Sequence, residues 1–341
     1  MTDAFTNPEL EPYVILAQEM FRRIYADEAP TEINSWCQAQ LQRIVGKKDK
    51  DARLLWEDSF TFYEELIAKR EALAALPESE RHLLTWPWAS WNAYLDPLEP
   101  GLLAVIAGPD GGGKTIYSEC LAEHWARQGN SVAFLHFELN RGIMMDRRMA
   151  RQAGIERRLL KDGTLTGQEK AEMARADERM RTWQGRITYV HTPGWTVERA
   201  LAEVQSLATE DMCDVFIVDY LEKAASSARQ IKQYGAQIYE READDVEQIK
   251  NFSEAVGLPV VILSQLNKMG KGQSFADLTR TDIRGSGAKT ERANVVALLY
   301  RDSLESQQVR VKLDKNTMGA PGTLTQVMDA PRFRVLDQVM E

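Results

Sequence analysis

The chain has 341 residues, 44% of them hydrophobic and 27% charged, which is room for one large core plus an appendage and an ordinary balance for a globular protein. Its formal net charge of −9 excludes nucleic-acid binding by the surface as a whole, because phosphate contacts need Lys and Arg, but leaves open a local basic channel, above all one built by several subunits. No apolar run approaches the ~18 residues of a membrane span, the N-terminus lacks the basic start and apolar stretch of a secretory signal, and Cys37, Cys120 and Cys213 have no metal-ligand spacing. A cytoplasmic protein with free thiols and no membrane partner is therefore expected.

Residues 1–82 contain no strand pattern. Tyr13, Ala17, Met20, Phe21 and Ile24 fall at helical spacing, Ile33, Trp36, Leu41 and Ile44 mark a second helix, and Leu55, Phe62, Leu66 and Ile67 mark the buried face of a third. With Pro30 and Pro77 as punctuation, this part reads as a small helical N-terminal domain. Residues 83–100 crowd Trp86, Trp88 and Trp91 among Pro87, Pro97 and Pro100. They read as a linker that docks on the core through its aromatics, or as a segment that meets a neighbouring subunit or supports a nucleotide base.

From Gly101 to the C-terminus the character changes. Apolar runs at 102–107, 131–137, 187–190, 215–218, 260–263, 295–300 and 309–313 are interrupted, over the first five, by polar helical segments. Such alternation predicts an α/β domain over 101–341, with a mostly parallel buried sheet. The closely spaced last runs, with 323–328 and 333–336, predict antiparallel strands at one edge.

Gly108-Pro109-Asp110-Gly111-Gly112-Gly113-Lys114-Thr115 fits GxxxxGK[ST] without a mismatch, between a strand-like run and a helical segment that starts at Ile116. The glycines let the backbone curl so that successive N–H groups face phosphate oxygens, and the helix N-terminus adds its partial positive charge. Lys114 is suited to bridge the β- and γ-phosphates of ATP, and Thr115 to ligate Mg²⁺. Val215-Phe216-Ile217-Val218-Asp219 is an apolar strand closing on a carboxylate, which makes Asp219 the second Mg²⁺ candidate. Tyr220, not a second acid, follows it. The candidate base is Glu138, just after the next apolar strand beyond the phosphate loop and expected on a strand adjacent to the loop's own. Gln265, ending the strand at 260–263, is suited to contact the γ-phosphate. His124 reads as a packing or surface residue, His136 as a satisfied buried histidine, and the acidic run Glu240-Arg241-Glu242-Ala243-Asp244-Asp245 as a solvated helix face.

Taken together, Glu138-Leu139, Val218-Asp219-Tyr220-Leu221 and Leu263-Ser264-Gln265-Leu266-Asn267 resemble the DnaB-like replicative helicases of the RecA-like superfamily, over roughly residues 84–336. His191-Thr192-Pro193-Gly194-Trp195-Thr196, Asp282-Ile283-Arg284-Gly285-Ser286-Gly287-Ala288 and Leu299-Tyr300-Arg301-Asp302 add to the likeness. The resemblance implies a RecA-like P-loop core in a hexameric ring, ATP between subunits, single-stranded DNA through the centre, and a primase or loader as partner. DNA would be held by loops after Gln265 and around Arg284. Residues 267–292 carry Lys268, Lys271, Arg280, Arg284, Lys289 and Arg292 among glycines including Gly285 and Gly287, a composition suited to a phosphate backbone.

The chain also departs from the family pattern. Lys315 is the candidate contact to a neighbour's ATP site, but Thr317 stands where the family has an arginine, and Gly285 where it has a glutamate. The missing arginine implies slow hydrolysis or a substitute such as Arg332 or Arg334, because such fingers carry large rate factors. A DNA-translocating motor leads among the possible functions. The others are a RecA- or KaiC-like ATPase acting as a clamp or recombination mediator without unwinding, and a nucleotide-binding scaffold.

Overall fold

The computed structural model describes residues 11–26, 28–45, 58–76, 82–267, 274–303 and 305–338. The chain divides into two compact units, Met1–Pro77 and Glu78–Glu341.

The first unit holds α1 (Glu11–Tyr25), α2 (Pro30–Val45) and α3 (Asp58–Ala75). Pro30 opens α2, where its fixed φ costs nothing. Arg23 pairs with Glu28 at 2.8 Å and lies 4.3 Å over the Trp36 ring. The helices form as expected, but their apolar stripes are not a core. Tyr13, Met20, Phe21, Ile24, Leu41 and Ile67 are 37% to 59% exposed, and among the described side chains of this unit only Ile33 is buried. Leu55 and the side chains of Ile44 and Phe62 lie outside the described residues.

The second unit begins before the phosphate loop. Residues 83–100, read above as a linker docked on the core through its aromatics or as a segment meeting a neighbour, pack their tryptophans into the core of this unit: Trp86, Trp88 and Trp91 are at most 3% exposed. Burial of an indole requires a partner for its N–H. Trp86 donates to the Asp96 carbonyl, Trp88 to the Val335 carbonyl and Trp91 to Gln326 Oε1, at 2.9, 2.9 and 3.0 Å. Trp91 sits in the short α4 (Ala89–Asn92). The Trp88 and Trp91 rings lie 5.0 and 6.0 Å from that of Tyr117.

The elements then follow as β1 (Leu103–Gly108), α5 (Lys114–Arg127), β2 (Val132–His136), α6 (Arg141–Ala153), α7 (Arg157–Asp162), α8 (Gly167–Arg181), β3 (Ile187–His191), α9 (Val197–Thr209), β4 (Val215–Asp219), α10 (Ala228–Tyr234), α11 (Ile238–Val256), β5 (Val260–Gln265), α12 (Ser286–Arg292), β6 (Val295–Tyr300), β7 (Gln308–Asn316), β8 (Gly322–Asp329) and β9 (Arg334–Asp337). One nine-stranded sheet has the order β3-β2-β4-β5-β1-β6-β7-β8-β9. Pairing is parallel from β3 through β6 and antiparallel from β6 to β9. β1, β2 and β4 are buried at every residue, since apolar side chains pack on both faces of the sheet. In β7 and β8 burial alternates with the pleat.

β2 is not adjacent to β1, as was expected for the strand before Glu138; β4 and β5 lie between them. Crossover helices let sequence neighbours be separated in the sheet, so the order of the strands is a tertiary property.

Helix α5 is fixed by a buried ionic cluster. Arg151 of α6 reaches Glu119 at 2.5 Å and Glu123 at 2.7 and 2.9 Å, and is 5% exposed. The two glutamates are four residues apart and so share one face of α5. Replacing the arginine would strand two carboxylates away from water. Arg151→Leu is expected to cost about 3–5 kcal/mol of unfolding free energy, read from urea denaturation; a loss below about 1 kcal/mol would contradict this account.

Candidate active site

β1 delivers the chain at Gly108 into a turn that ends in the first residue of α5, Lys114. Gly111 and Gly113 adopt φ of 68° and 96°, which only glycine takes without strain. A Cβ at Gly113 would run into the Met328 methyl group, and one at Gly112 would sit 2.9 Å from the Pro109 carbonyl oxygen. The turn is therefore glycine-rich for packing as well as conformation. Ile116 N–H donates to the Gly113 carbonyl at 2.8 Å, which closes the first helical turn.

Lys114 is 8% exposed and donates to the carbonyls of Gly108 and Pro109, both at 2.9 Å. Burial holds its ammonium below the usual lysine value, offset in part by Asp110 and Asp219. Thr115 Oγ1 lies 3.4 Å from Asp219 Oδ1. Asp219 closes β4, and burial pushes its carboxyl up to about 7 while the Thr115 hydroxyl draws it down. Its second oxygen is buried without a hydrogen-bond partner among the described residues. An unsatisfied carboxylate oxygen beside a threonine hydroxyl is a hard-oxygen set that fits Mg²⁺.

His136 does not match the satisfied histidine expected from the sequence. It is 3% exposed, and neither ring nitrogen has a hydrogen-bond partner among the described residues. Its Nε2 is 3.5 Å from Asp219 Oδ2, and burial pulls its pKa down to about 4. His124, by contrast, meets Thr85 Oγ1 at 2.9 Å.

A cavity of about 420 Å³ opens at these strand ends, lined by Asp110, Glu138, Tyr220, Glu222, Lys223, Gln265 and Arg284. Glu138 is exposed, two residues past the end of β2, and reaches this cavity although its strand is remote from β1. Gln265 Nε2 donates to Asp110 Oδ1 at 2.6 Å, so the β5 end touches the phosphate loop directly. Glu222 was missed from the sequence; its signal was a carboxylate three residues beyond Asp219. It accepts from Ser264 Oγ at 2.5 Å and from Gln265 N–H at 3.1 Å. A larger cavity, about 700 Å³, is lined by residues such as His124, Arg127, Arg179 and Asp337 and shares none with the first.

The basic segment is only partly as expected. Arg280 and Arg284 are 46% and 40% exposed, 3.9 Å from Asp314 and 3.7 Å from Glu242. Gly285 caps α12 with φ 63°, and a Cβ on Gly287 would meet open space. Lys289 is fully buried between Glu222 and Glu242, at 2.8 and 3.3 Å; in this conformation its ammonium does not face a phosphate backbone. Glu242 and Asp245 are likewise buried, not part of a solvated face. Lys268 and Lys271 lie outside the described residues. Lys315 donates to the carbonyls of Thr290 and Glu291 at 2.8 and 3.0 Å. Thr317 N–H bonds the Asn294 carbonyl at 3.0 Å. Arg332 donates to the Gly154 carbonyl and Arg334 to the Arg151 carbonyl, at 2.9 and 2.8 Å.

A strand, a glycine turn and a helix bearing Lys114 and Thr115, with a carboxylate at the end of a second parallel strand, define the P-loop nucleotide-binding class. Within that class, residues 88–333 match the model of the DnaB-like helicase C terminal domain, and the chain belongs to that family. It is 28% identical over 223 residues to the replicative DNA helicase DnaB of Treponema pallidum, covering 65% of this chain and 48% of that protein. It is 24% identical over 231 residues to the replicative DNA helicase DnaC of Bacillus subtilis, covering 65% and 49%. The chain thus matches about half the length of these relatives. Among solved structures, a DnaB-like replicative helicase described with its interactions with primase superposes with TM-score 0.75 at 15% identity, over 97% of this chain and 76% of that one. A second solved structure, described as an ATPase domain, superposes with TM-score 0.68 at 16% identity, over 81% of this chain and 98% of that one. The RecA-like fold is the one the sequence resemblance implied.

The electrostatics of Asp219 and His136 have opposite consequences for stability. Asp219 moves from 3.8 to about 7 on folding, so between those values the folded chain keeps a proton that the unfolded chain has lost. Its contribution therefore falls as pH rises through that window. His136 moves from 6.5 to about 4, so its contribution is present above the upper value and lost as pH falls through the lower one. Asp219→Asn removes only the first effect. Without nucleotide or metal, this variant is expected to exceed wild type in unfolding free energy near pH 8 by roughly 2–4 kcal/mol, and so to melt higher, and the gain should shrink towards pH 4. An equal or lower melting temperature near pH 8 would contradict the assignment.

Proposed function

We propose that this chain is the motor of a DnaB-type helicase, hydrolysing ATP to move along single-stranded DNA during replication. The observation that carries the reading is the convergence at one sheet edge of Lys114, Thr115, Asp219, Glu138 and Gln265. Family membership and the names of the curated relatives support it.

In this reading the N–H groups of Gly111, Gly113, Lys114 and Thr115 cradle the phosphates, while those of Gly112 and Ile116 are held by the Pro109 and Gly113 carbonyls in the turn itself. The side chain of Lys114 exchanges its two carbonyl partners for phosphate oxygens. Thr115 Oγ1 and Asp219 hold the magnesium ion, which supplies neutralisation of phosphate charge when bound. Glu138 accepts a proton from the attacking water at its carboxylate. Gln265, engaged with Asp110 at rest, is free to turn to the terminal phosphate. Arg280 and Arg284 contact the DNA backbone, and the net charge of −9 argues for local contact over binding by the surface as a whole.

Assembly of several copies into a ring would gather these segments around one channel. A primase is a proposed partner, because one similar solved helicase is described with one. A cytoplasmic location is proposed with it; among the described residues no helix is long and apolar enough to cross a membrane. Thr317 favours a second reading, a clamp or mediator that assembles on DNA without unwinding it.

Two measurements test the motor reading. Lys114→Ala should abolish nucleotide affinity and turnover together, and Glu138→Gln should keep nucleotide binding while lowering turnover by about 10²–10⁴-fold. A Glu138→Gln protein with wild-type turnover would remove Glu138 from the mechanism. On a forked duplex, hydrolysis without strand separation would select the clamp reading.

A further inference from the structure

The segment bearing Arg284 is joined to the end of β5 by a closed circuit of polar contacts. Arg284 N–H donates to the Gln265 carbonyl at 2.8 Å, and Asn267 N–H to the Asp282 carbonyl at 2.7 Å. The Gln265 N–H bonds Glu222, which takes Lys289 Nζ at 2.8 Å. Lys289 Nζ returns to the Arg284 carbonyl at 2.8 Å and also reaches Ser264 Oγ at 3.1 Å and Glu242 Oε2 at 3.3 Å. The side chains of Lys289, Glu222 and Glu242 are 0%, 1% and 8% exposed.

A buried lysine between two carboxylates is tolerated only while its geometry is kept, because each charge has lost its water. The circuit therefore behaves as one body. Gly285 belongs to it: a Cβ there would lie 2.5 Å from Glu242 Oε2, in addition to the strain of φ 63°. The glutamate of the family pattern is thus replaced here by room for the carboxylate of Glu242. At its other end the circuit meets the phosphate loop through Gln265 and Asp110, at 2.6 Å.

We propose that Lys289 is a positioning residue. It clasps the Arg284 segment to the end of β5, so that the state of the phosphate site sets where Arg284 stands. The inference rests on the motor reading above. It assigns to Lys289 a role in coupling, not in DNA contact.

The test uses the full chain and a single-stranded oligothymidylate. Lys289→Ala leaves two buried carboxylates unpaired and is prone to misfold. The double variant Glu242→Gln/Lys289→Met removes one positive and one negative charge and leaves Glu222 with the Ser264 hydroxyl and Gln265 amide. Neither substituted residue is assigned to the phosphate machinery, so basal hydrolysis and KM for ATP should match wild type. DNA stimulation at saturating oligonucleotide should fall at least about fivefold, with DNA affinity retained. Full stimulation in the double variant overturns the proposal. So does a loss of affinity that saturating DNA repairs, since Lys289 would then be a phosphate contact. Hydrogen exchange on wild type needs no variant: a non-hydrolysable ATP analogue should slow the amides of Gln265 and Arg284 together, and protection of Gln265 alone overturns the clasp. A wild-type protein whose hydrolysis DNA does not stimulate would sink the motor reading itself, whereas a stimulated wild type with an equally stimulated variant sinks only this inference.

Discussion

A carboxylate at the end of a strand as apolar as β4 loses most of its hydration, and the surroundings of Asp219 are arranged around that cost. Among the described residues only the Thr115 hydroxyl is directed at it; its other oxygen faces an imidazole 3.5 Å away without a hydrogen bond. Protein groups alone leave the position under-satisfied, so it gains most from a cation that brings its own oxygens. The Arg151 cluster holds α5, and with it Thr115, in line with the strand ends, while Met328 and the glycines bring the turn close to β8. Each of these features keeps one threonine opposite one aspartate.

Much of this was legible in the residues because the chemistry is local. A glycine turn before a lysine and threonine, and apolar runs that stop at an acid or an amide, can be read within a short stretch of chain. The parallel strands and the antiparallel edge followed from the same runs. Strand order did not, since nothing local in β2 says that β4 and β5 lie between it and β1. The burial of Lys289 was equally hidden: its two carboxylate partners are 67 and 47 residues away in sequence. Composition presented it as one more cation of a polar loop. The tryptophans of residues 83–100 were visible, but their acceptors, Gln326 and the Val335 carbonyl, belong to the last strands of the chain.

The departures from the family pattern have different structural contexts. Gly285 has a local reason, since Glu242 fills the space where a side chain would begin. Thr317 has a weaker one: its backbone N–H closes onto the Asn294 carbonyl and its exposed hydroxyl accepts from Asn294 Nδ2 at 3.4 Å. Lys315 is turned back onto the last carbonyls of α12, a stabilising position for a cation at a helix C-terminus.

The aromatic packing next to α5 has a practical corollary. Tyr117, three residues after Lys114, lies within 6.0 Å of Trp91 and closer still to Trp88, and its hydroxyl shares Gln326 Oε1 with the Trp91 indole. Any tilt of that helix alters the field and quenching around two indoles that water does not reach. Of the chain's eight tryptophans these two therefore carry an optical signal of the phosphate-loop helix, readable as emission that a Trp88→Phe or Trp91→Phe protein lacks.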